Sequence, residues 1–287
     1  MKVGYLGPRG SYCEEALKIF GKEAGEFEPI EFATIYDALI SVITGEVNCA
    51  VVPIENSIEG SVNTTLDILA ENEKVKIRAE TVLQIRHNLL VKKGTKREEV
   101  EMILSHPQAL AQCGKYLRRK LPGVCTYATP STSEAAREVA DSGLKWAAIS
   151  NSRAADVYGL EILEDDIQDG DNNMTRFVVV SLEEAQATGA DKTSMVFSTE
   201  DRPGSLYRVL DIFNLWDINL TKIESRPAKN ELGKYIFFVD IEGHHSDSDV
   251  KEALTMVNRK TSYFRLLGSY HKIDIGCSSF EYLGKEV

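Results

Sequence analysis

The stretch "CAVVPIENSIEGSVNTTLDILA", Cys49 to Ala70, passes from an apolar run through a polar cluster into a helical pattern. The run Cys49-Ala50-Val51-Val52 is short and fully apolar, which predicts a buried strand ending at Pro53. Glu55, Asn56, Ser57 and Ser61 follow at once, and Gly60 breaks the segment before the helix "VNTTLDILA". A turn and an N-cap account for one or two of these polar residues, not for four. A buried strand that delivers hydrogen-bonding side chains to the start of a helix is a βα unit. In open sheets of such units the ligand lies beyond the carboxyl ends of the strands.

The alternation continues on both sides. Upstream, "KVGYL" is a strand, "SYCEEALKIF" a helix with Ser11 as N-cap, and "YDALISVITG" a helix closed by Gly45. Downstream, strands "MILSH", "GVCTYA" and "KWAAIS" alternate with helices "QALAQCGKYLRRK", "STSEAAREVAD" and "SRAADVYG". This predicts parallel sheets with helices on both faces. Extended segments near residues 76–92 and 161–176 join two such groups. The expected core therefore has two lobes around a cleft, lobe one about 1–75 with 162–182 and lobe two about 76–161. Residues 183–192 are polar, contain Gly189, and read as a linker. Residues 193–272 then run βαββαβ, the ferredoxin-like order. The tail, 273–287, carries no signal.

Length and composition narrow the function. The 287 residues fit two domains, and 43% hydrophobic with 27% charged content is that of a soluble globular protein. A net charge of -11 argues against nucleic acid or an anionic membrane as partner. No apolar run reaches membrane-spanning length, and the N-terminus has no signal-peptide core. Cys13, Cys49, Cys113, Cys125 and Cys277 are odd in number and scattered, as expected of buried thiols in a cytoplasmic protein. The histidines show no ligand spacing and the sequence has no nucleotide or phosphate loop, so neither a metal nor an organic cofactor is expected.

Four more clusters share the chemistry of "VPIENSIEGSV". "LGPRGSY" sets Gly7, Pro8, Gly10 and Ser11 in a turn before a helix N-terminus. "SHPQALAQC" sets Ser105, His106 and Gln108 where a strand meets a helix, with Gln112 four residues on along the same face. "AISNSRAA" places Ser150 and Asn151 at a helix start, where they bind a carboxylate or cap the helix. "GDNNMTRFVVV" puts Thr175, Arg176 and Phe177 at the mouth of a buried strand. Hydroxyls, amides and helix N-termini suit a small anion held by neutral donors.

The co-occurrence of "GPRGS", "VPIENSIEGSV", "SHPQALAQC", "NNMTRF", "PGSLYRVL" and "ESRP", in this order over roughly residues 3–272, resembles the prephenate dehydratase family with a C-terminal ACT regulatory domain. The resemblance implies a periplasmic-binding-protein-like catalytic core. It implies conversion of prephenate to phenylpyruvate in phenylalanine synthesis, with feedback by L-phenylalanine. It makes Thr175-Arg176-Phe177 the catalytic signature and Asn56 the active-site asparagine. Gln108 is the matching glutamine, with Gln112 left open. Arg176, Phe177, Glu55, Ser57, Ser11, Gly10, Ser105, Gln112, Ser150 and Asn151 are expected around the substrate. L-phenylalanine is expected against Gly204-Ser205-Leu206, where Ser replaces the usual Ala, and against Glu224-Ser225-Arg226-Pro227. Pairing of these units into a homodimer or homotetramer is also implied. Arogenate dehydratase, or a non-catalytic amino-acid-sensing binding protein, are the alternative readings.

Overall fold

A computed structural model describes residues 1–228 and 235–273, so the tail after Ile273, with Cys277, lies outside the described residues. The chain forms two compact units, Met1–Ile77 with Val82–Glu184, and Arg78–Thr81 with Ala185–Val287.

In chain order the first unit contains β1 (Lys2–Leu6), α1 (Tyr12–Ala24), β2 (Glu28–Phe32), α2 (Ile35–Ile43), β3 (Cys49–Asn56), β4 (Gly60–Ser61) and α3 (Asn63–Glu71). It continues with β5 (Lys76–Gln84), whose Arg78–Thr81 belongs to the second unit, β6 (Asn88–Val91), β7 (Met102–Ser105), α4 (Pro107–Gln112), α5 (Gly114–Lys120) and β8 (Cys125–Ala128). Then come α6 (Thr132–Asp141), β9 (Trp146–Ser150), α7 (Ser152–Tyr158), β10 (Glu161–Glu164) and β11 (Met174–Ser181). Two sheets result. One has the order β2-β1-β3-β11 followed by β5, with β4 beside β3; the other is β10-β6-β9-β7-β8.

Period-two alternation explains how the second sheet sits between its helices. Leu89, Val91, Ile103, Ala147 and Ile149 pack on one face with Ala109, Cys113 and Tyr116 from α4 and α5. Their neighbours Leu90, Leu104 and Ala148 pack on the other face with Ala135, Val139 and Ala154 from α6 and α7. Burial of each leucine, isoleucine or valine among these contributes about 1.5–3 kcal/mol, so both faces are strongly specified.

Three expectations change. The sheets are mixed, not parallel: β11 runs antiparallel to β3, and β6 runs antiparallel to β9 and β10. The strand expected to stop at Pro53 continues to Asn56. Its register with β11 shifts so that Arg176 faces Glu55 and Phe177 faces Pro53, leaving Ile54 as the extra residue of a bulge. A bulge relieves a strand of the ladder bond that proline cannot donate. The helix expected from Gln108 to Lys120 breaks at Cys113, which is fully buried and precedes Gly114, a weak helix former.

The second unit contains β12 (Asp191–Ser198), α8 (Ser205–Leu215), β13 (Leu220–Pro227), β14 (Tyr235–Glu242), α9 (Ser248–Lys260) and β15 (Tyr263–Lys272). Its sheet order is β13-β14-β12-β15, and Ala79 and Glu80 pair in parallel with His271 and Lys272 of β15. Met195, Phe197, Val239 and Ile241 pack beneath Val209, Ile212 and Phe213 of α8 and Val250, Leu254 and Val257 of α9. Both helices therefore cover one face, as βαββαβ connectivity requires.

Candidate active site

A cavity of about 260 Å³ lies at the carboxyl ends of the first unit's strands. Leu6 and Gly7 after β1, Pro53 and Asn56 of β3, and Thr175 and Phe177 of β11 line one side. His106 after β7 and the segment Pro130 to Ser133 after β8 line the other, with Gln108 and Gln112 from α4. Among the described residues, none that lines this cavity is a Lys, Arg, Asp or Glu. Its polarity comes wholly from neutral groups and helix starts.

One hydrogen-bonded chain orders those groups. The Asn56 Oδ1 accepts the backbone N–H of Ile58 (3.0 Å) and of Glu59 (3.1 Å), which fixes the orientation of its amide. Asn56 Nδ2 then donates to Thr175 Oγ1 and to Asn173 Oδ1, each at 2.8 Å. Asn173 Nδ2 donates to Gln112 Oε1 (2.9 Å), which also meets His87 Nε2 (2.9 Å). An amide oxygen only accepts, so His87 carries its proton on Nε2. Thr175 Oγ1 already receives a donor, so its own proton is left for a ligand.

Pairing across the two strands explains the placement. Thr175 stands opposite Asn56, and Arg176 opposite Glu55. Successive side chains alternate between faces, so Thr175 and Phe177 line the cavity while Arg176 does not. Arg176 and Glu55 instead form an ion pair at 3.2 Å. Arg176 and Glu55, both expected around the substrate, are thus outside the residues that line this cavity.

Several other expected residues support the backbone and do not line the cavity. Ser105 Oγ donates to the Ile149 carbonyl at 2.6 Å. Ser57 Oγ donates to the Asn172 carbonyl (2.8 Å) and accepts from Met174 N–H (2.9 Å), clasping β11 to the end of β3. Asn151 caps α7 through Ala154 N–H at 2.8 Å, and Ser150 beside it is fully buried. Gly10 adopts φ +79, a conformation that favours glycine, and donates its N–H to Glu14. Ser11 lines the cavity and caps α1. Ser150 Oγ and Asn151 Nδ2 are buried without a hydrogen-bond partner.

The sequence reading missed His87, Asn173 and the start of α6. Asn173 lay inside the quoted "NNMTRF" but without a role. His87 had no local signal at all, because only the fold brings it to Gln112.

Burial pushes the His87 imidazole below its ordinary range, against a smaller opposing effect of the Gln112 hydrogen bond, so it stays neutral. Burial likewise pushes the Cys13 thiol up to about 12 and the Tyr12 phenol upward, which removes both as charged nucleophiles. The His87 shift has a consequence for stability. Below His's unfolded value of about 6.5 the unfolded chain binds a proton that the native chain does not. Stability is therefore full above that pH and is lost as the pH falls toward the lower folded value. Thermal melts from pH 8 to 5 should show this loss, and His87→Gln should flatten it. An equal slope in the variant would assign the loss to other groups.

In the second unit, Gly204, Ser205 and Leu206 line a cavity of about 370 Å³ with Arg202, Tyr207, Tyr235 and Phe237. Gly204 takes φ +79 at the start of α8. Glu224, Ser225, Arg226 and Pro227 lie on β13, at the end of the sheet order, and do not line that cavity within one chain.

Residues 3–185 match the family model for prephenate dehydratase, and residues 193–255 match that for the ACT domain. A bifunctional chorismate mutase/prephenate dehydratase of Aquifex aeolicus is 42% identical, over 95% of this chain and 74% of its own length. A prephenate dehydratase of Mycobacterium tuberculosis is 40% identical, over 94% of this chain and 87% of its own. Among solved structures, a prephenate dehydratase from Arthrobacter aurescens in complex with L-Phe superposes with a TM-score of 0.87 at 36% identity. It covers 96% of this chain and 91% of that one. With a family model spanning most of the chain and relatives at this identity over nearly all of it, the chain belongs to the prephenate dehydratase family and carries an ACT domain after the dehydratase region.

Proposed function

We infer that this protein is a prephenate dehydratase, a carbon–oxygen lyase that forms phenylpyruvate, CO₂ and water from prephenate and one proton. The observation that carries the reading is the Asn56-to-Thr175 hydrogen bond inside a cavity of neutral donors. The ring C–COO⁻ bond breaks and its electron pair enters the ring. The ring C–OH bond breaks at the other end, and the leaving oxygen takes up the proton. Aromatisation drives the step, and the barrier lies in the poor leaving group. A Thr175 proton aimed outward by Asn56 stabilises that oxygen as charge develops. The departing carboxylate needs no cation, and an uncharged wall favours its conversion to neutral CO₂.

The same wall favours prephenate over arogenate, whose ammonium has no carboxylate to meet among the lining residues. A spectrophotometric assay of phenylpyruvate from prephenate, run beside arogenate, tests both points. No turnover of prephenate refutes the activity, and equal rates on both substrates refute the preference.

Of the two glutamines, Gln112 joins the network that holds Asn173, which supports it over Gln108 as the active-site glutamine. Gln112→Ala should lower kcat by about 10²-fold, the cost of loosening a preorganised donor set. Gln108→Ala should act mainly on KM. The reverse pattern would make Gln108 the network residue.

The ACT unit supports binding of L-phenylalanine and assembly into a dimer or tetramer. β13 ends the sheet, and Tyr207, Leu215, Ile223 and Tyr235 are exposed apolar side chains of that unit. A second copy's Glu224–Pro227 segment brought to the Gly204–Leu206 turn would complete a ligand site. Calorimetry with L-phenylalanine, alongside sedimentation, checks this. No binding heat at millimolar ligand, or a monomer at micromolar protein, refutes it. Cys13, Cys49 and Cys113 are buried as expected, whereas Cys125 is exposed; unpaired thiols of both kinds support a cytoplasmic setting.

A further inference from the structure

We propose that the start of α6, Thr132 and Ser133, is the subsite for the carboxylate that the substrate keeps, the one on its three-carbon side chain. The inference rests on the dehydratase reading. With no cation among the lining residues, each negative charge of a dianionic substrate must be met by neutral donors. Helix starts are the strongest such donors.

Three helix starts reach the cavity, and two are already occupied. At α1, Ser11 caps Glu14 N–H, and the buried Glu14 carboxylate takes Gly10 N–H, so a negative charge already sits there. At α4, Pro107 has no N–H, and the His106 ring takes that of Gln108. At α6, Ser131 Oγ caps Glu134 N–H at 3.0 Å, and the helical ladder begins with Ala135 N–H on the Ser131 carbonyl. Thr132 and Ser133 N–H precede that ladder and have no intrahelical partner. Glu134 in this turn is ion-paired with Arg137.

A separate observation points to a ligand. Ser133 lines the cavity, is 0% exposed, and its hydroxyl has no hydrogen-bond partner. A buried hydroxyl left unpaired is destabilising, and it persists where something absent from the chain itself completes it. A carboxylate accepting from this hydroxyl and the two N–H groups would satisfy all three.

Chemistry selects which carboxylate. Strong donors hold a carboxylate in its charged form, and so oppose loss of CO₂. This subsite therefore suits the carboxylate that stays charged from substrate to product. Interactions equal in ground and transition states act on KM and leave kcat alone.

The test uses Ser133→Ala and Thr132→Pro in the full chain. Ser133 Oγ bonds nothing, so its removal should not lower the melting temperature. Proline is accepted at the first helical position, and Ser131 has the extended backbone that a residue before proline requires. Thr132→Pro therefore deletes one N–H while keeping the helix. Each variant should raise KM for prephenate by about 10- to 100-fold, as for loss of a hydrogen bond to a charged group, with kcat within about threefold. Phenylpyruvate keeps the side-chain carboxylate and lacks the ring one. Its Kd by calorimetry should weaken by the same factor as KM. Unchanged KM and Kd in both variants overturn the subsite. A raised prephenate KM with unchanged phenylpyruvate affinity overturns the choice of carboxylate. Wild-type protein that binds phenylpyruvate but does not turn over prephenate overturns the dehydratase reading alone, and the phenylpyruvate arm still reports on α6.

Discussion

Replacing Thr175 with valine lowers kcat for phenylpyruvate formation by about 10²–10³-fold, the usual cost of one preorganised donor, and leaves the fold intact. Valine keeps the β-branched shape that suits strand β11 and removes only the hydroxyl. Asn56 Nδ2 loses one acceptor but retains Asn173 Oδ1 at 2.8 Å and the Met174 carbonyl at 3.3 Å, so no amide proton is orphaned. KM should change little, because the hydroxyl matters most once charge has built up on the leaving oxygen. Thr175→Ser keeps the donor and should retain most activity. Steady-state kinetics on the pair decide the matter. A valine variant within about tenfold of wild type would remove the Thr175 hydroxyl from the mechanism.

A larger loss is expected from Asn56→Asp, which changes shape hardly at all. The native amide receives two backbone N–H bonds on Oδ1 and gives its protons to Asn173 and Thr175. A carboxylate there still accepts from Ile58 and Glu59, so the turn should hold. Its second oxygen, however, can only accept. Thr175 must then turn its proton toward residue 56, away from the substrate, and Asn173 Oδ1 faces a negative charge. That charge also has no cation among the cavity-lining residues to meet it, and it repels a dianionic substrate. The two effects together should cost about 10³-fold or more in kcat/KM. The pH profile carries the signature. Protonation returns a donor to residue 56, so the variant should recover rate as the pH falls, where the wild type does not. A variant with wild-type kcat, or one whose rate rises only toward alkaline pH, would contradict this hydrogen-bond direction.

Strand and helix types were legible because their information is local. The β-branched run at Val178–Val180 and the Ser11 cap each act within a few residues of themselves. The βαββαβ order of the second unit was legible for the same reason. Thr175 and Asn56 were identified through a resemblance of motifs, and Gln112 stayed undecided against Gln108, because two positions on one helix face look alike until the opposite wall is known.

What only tertiary structure decided is orientation. Pro53 and Asn56 are three apart in a strand, so simple alternation would put them on opposite faces. The bulge at Ile54 turns both toward the cavity. The same pairing turns Arg176 toward Glu55 and out of the cavity lining, a distinction of one residue on which the reading of charge in the site depends. His87 and Asn173 are 86 residues apart by number yet both bind the one oxygen of Gln112. No local pattern encodes that meeting, because it is made by two irregular segments, one between β5 and β6 and one just before β11. Composition and periodicity thus determined which elements form and where donors collect. Register, bulge and the convergence of distant segments determined which of those donors face the cavity, because a hydrogen bond depends on direction as well as on residue type.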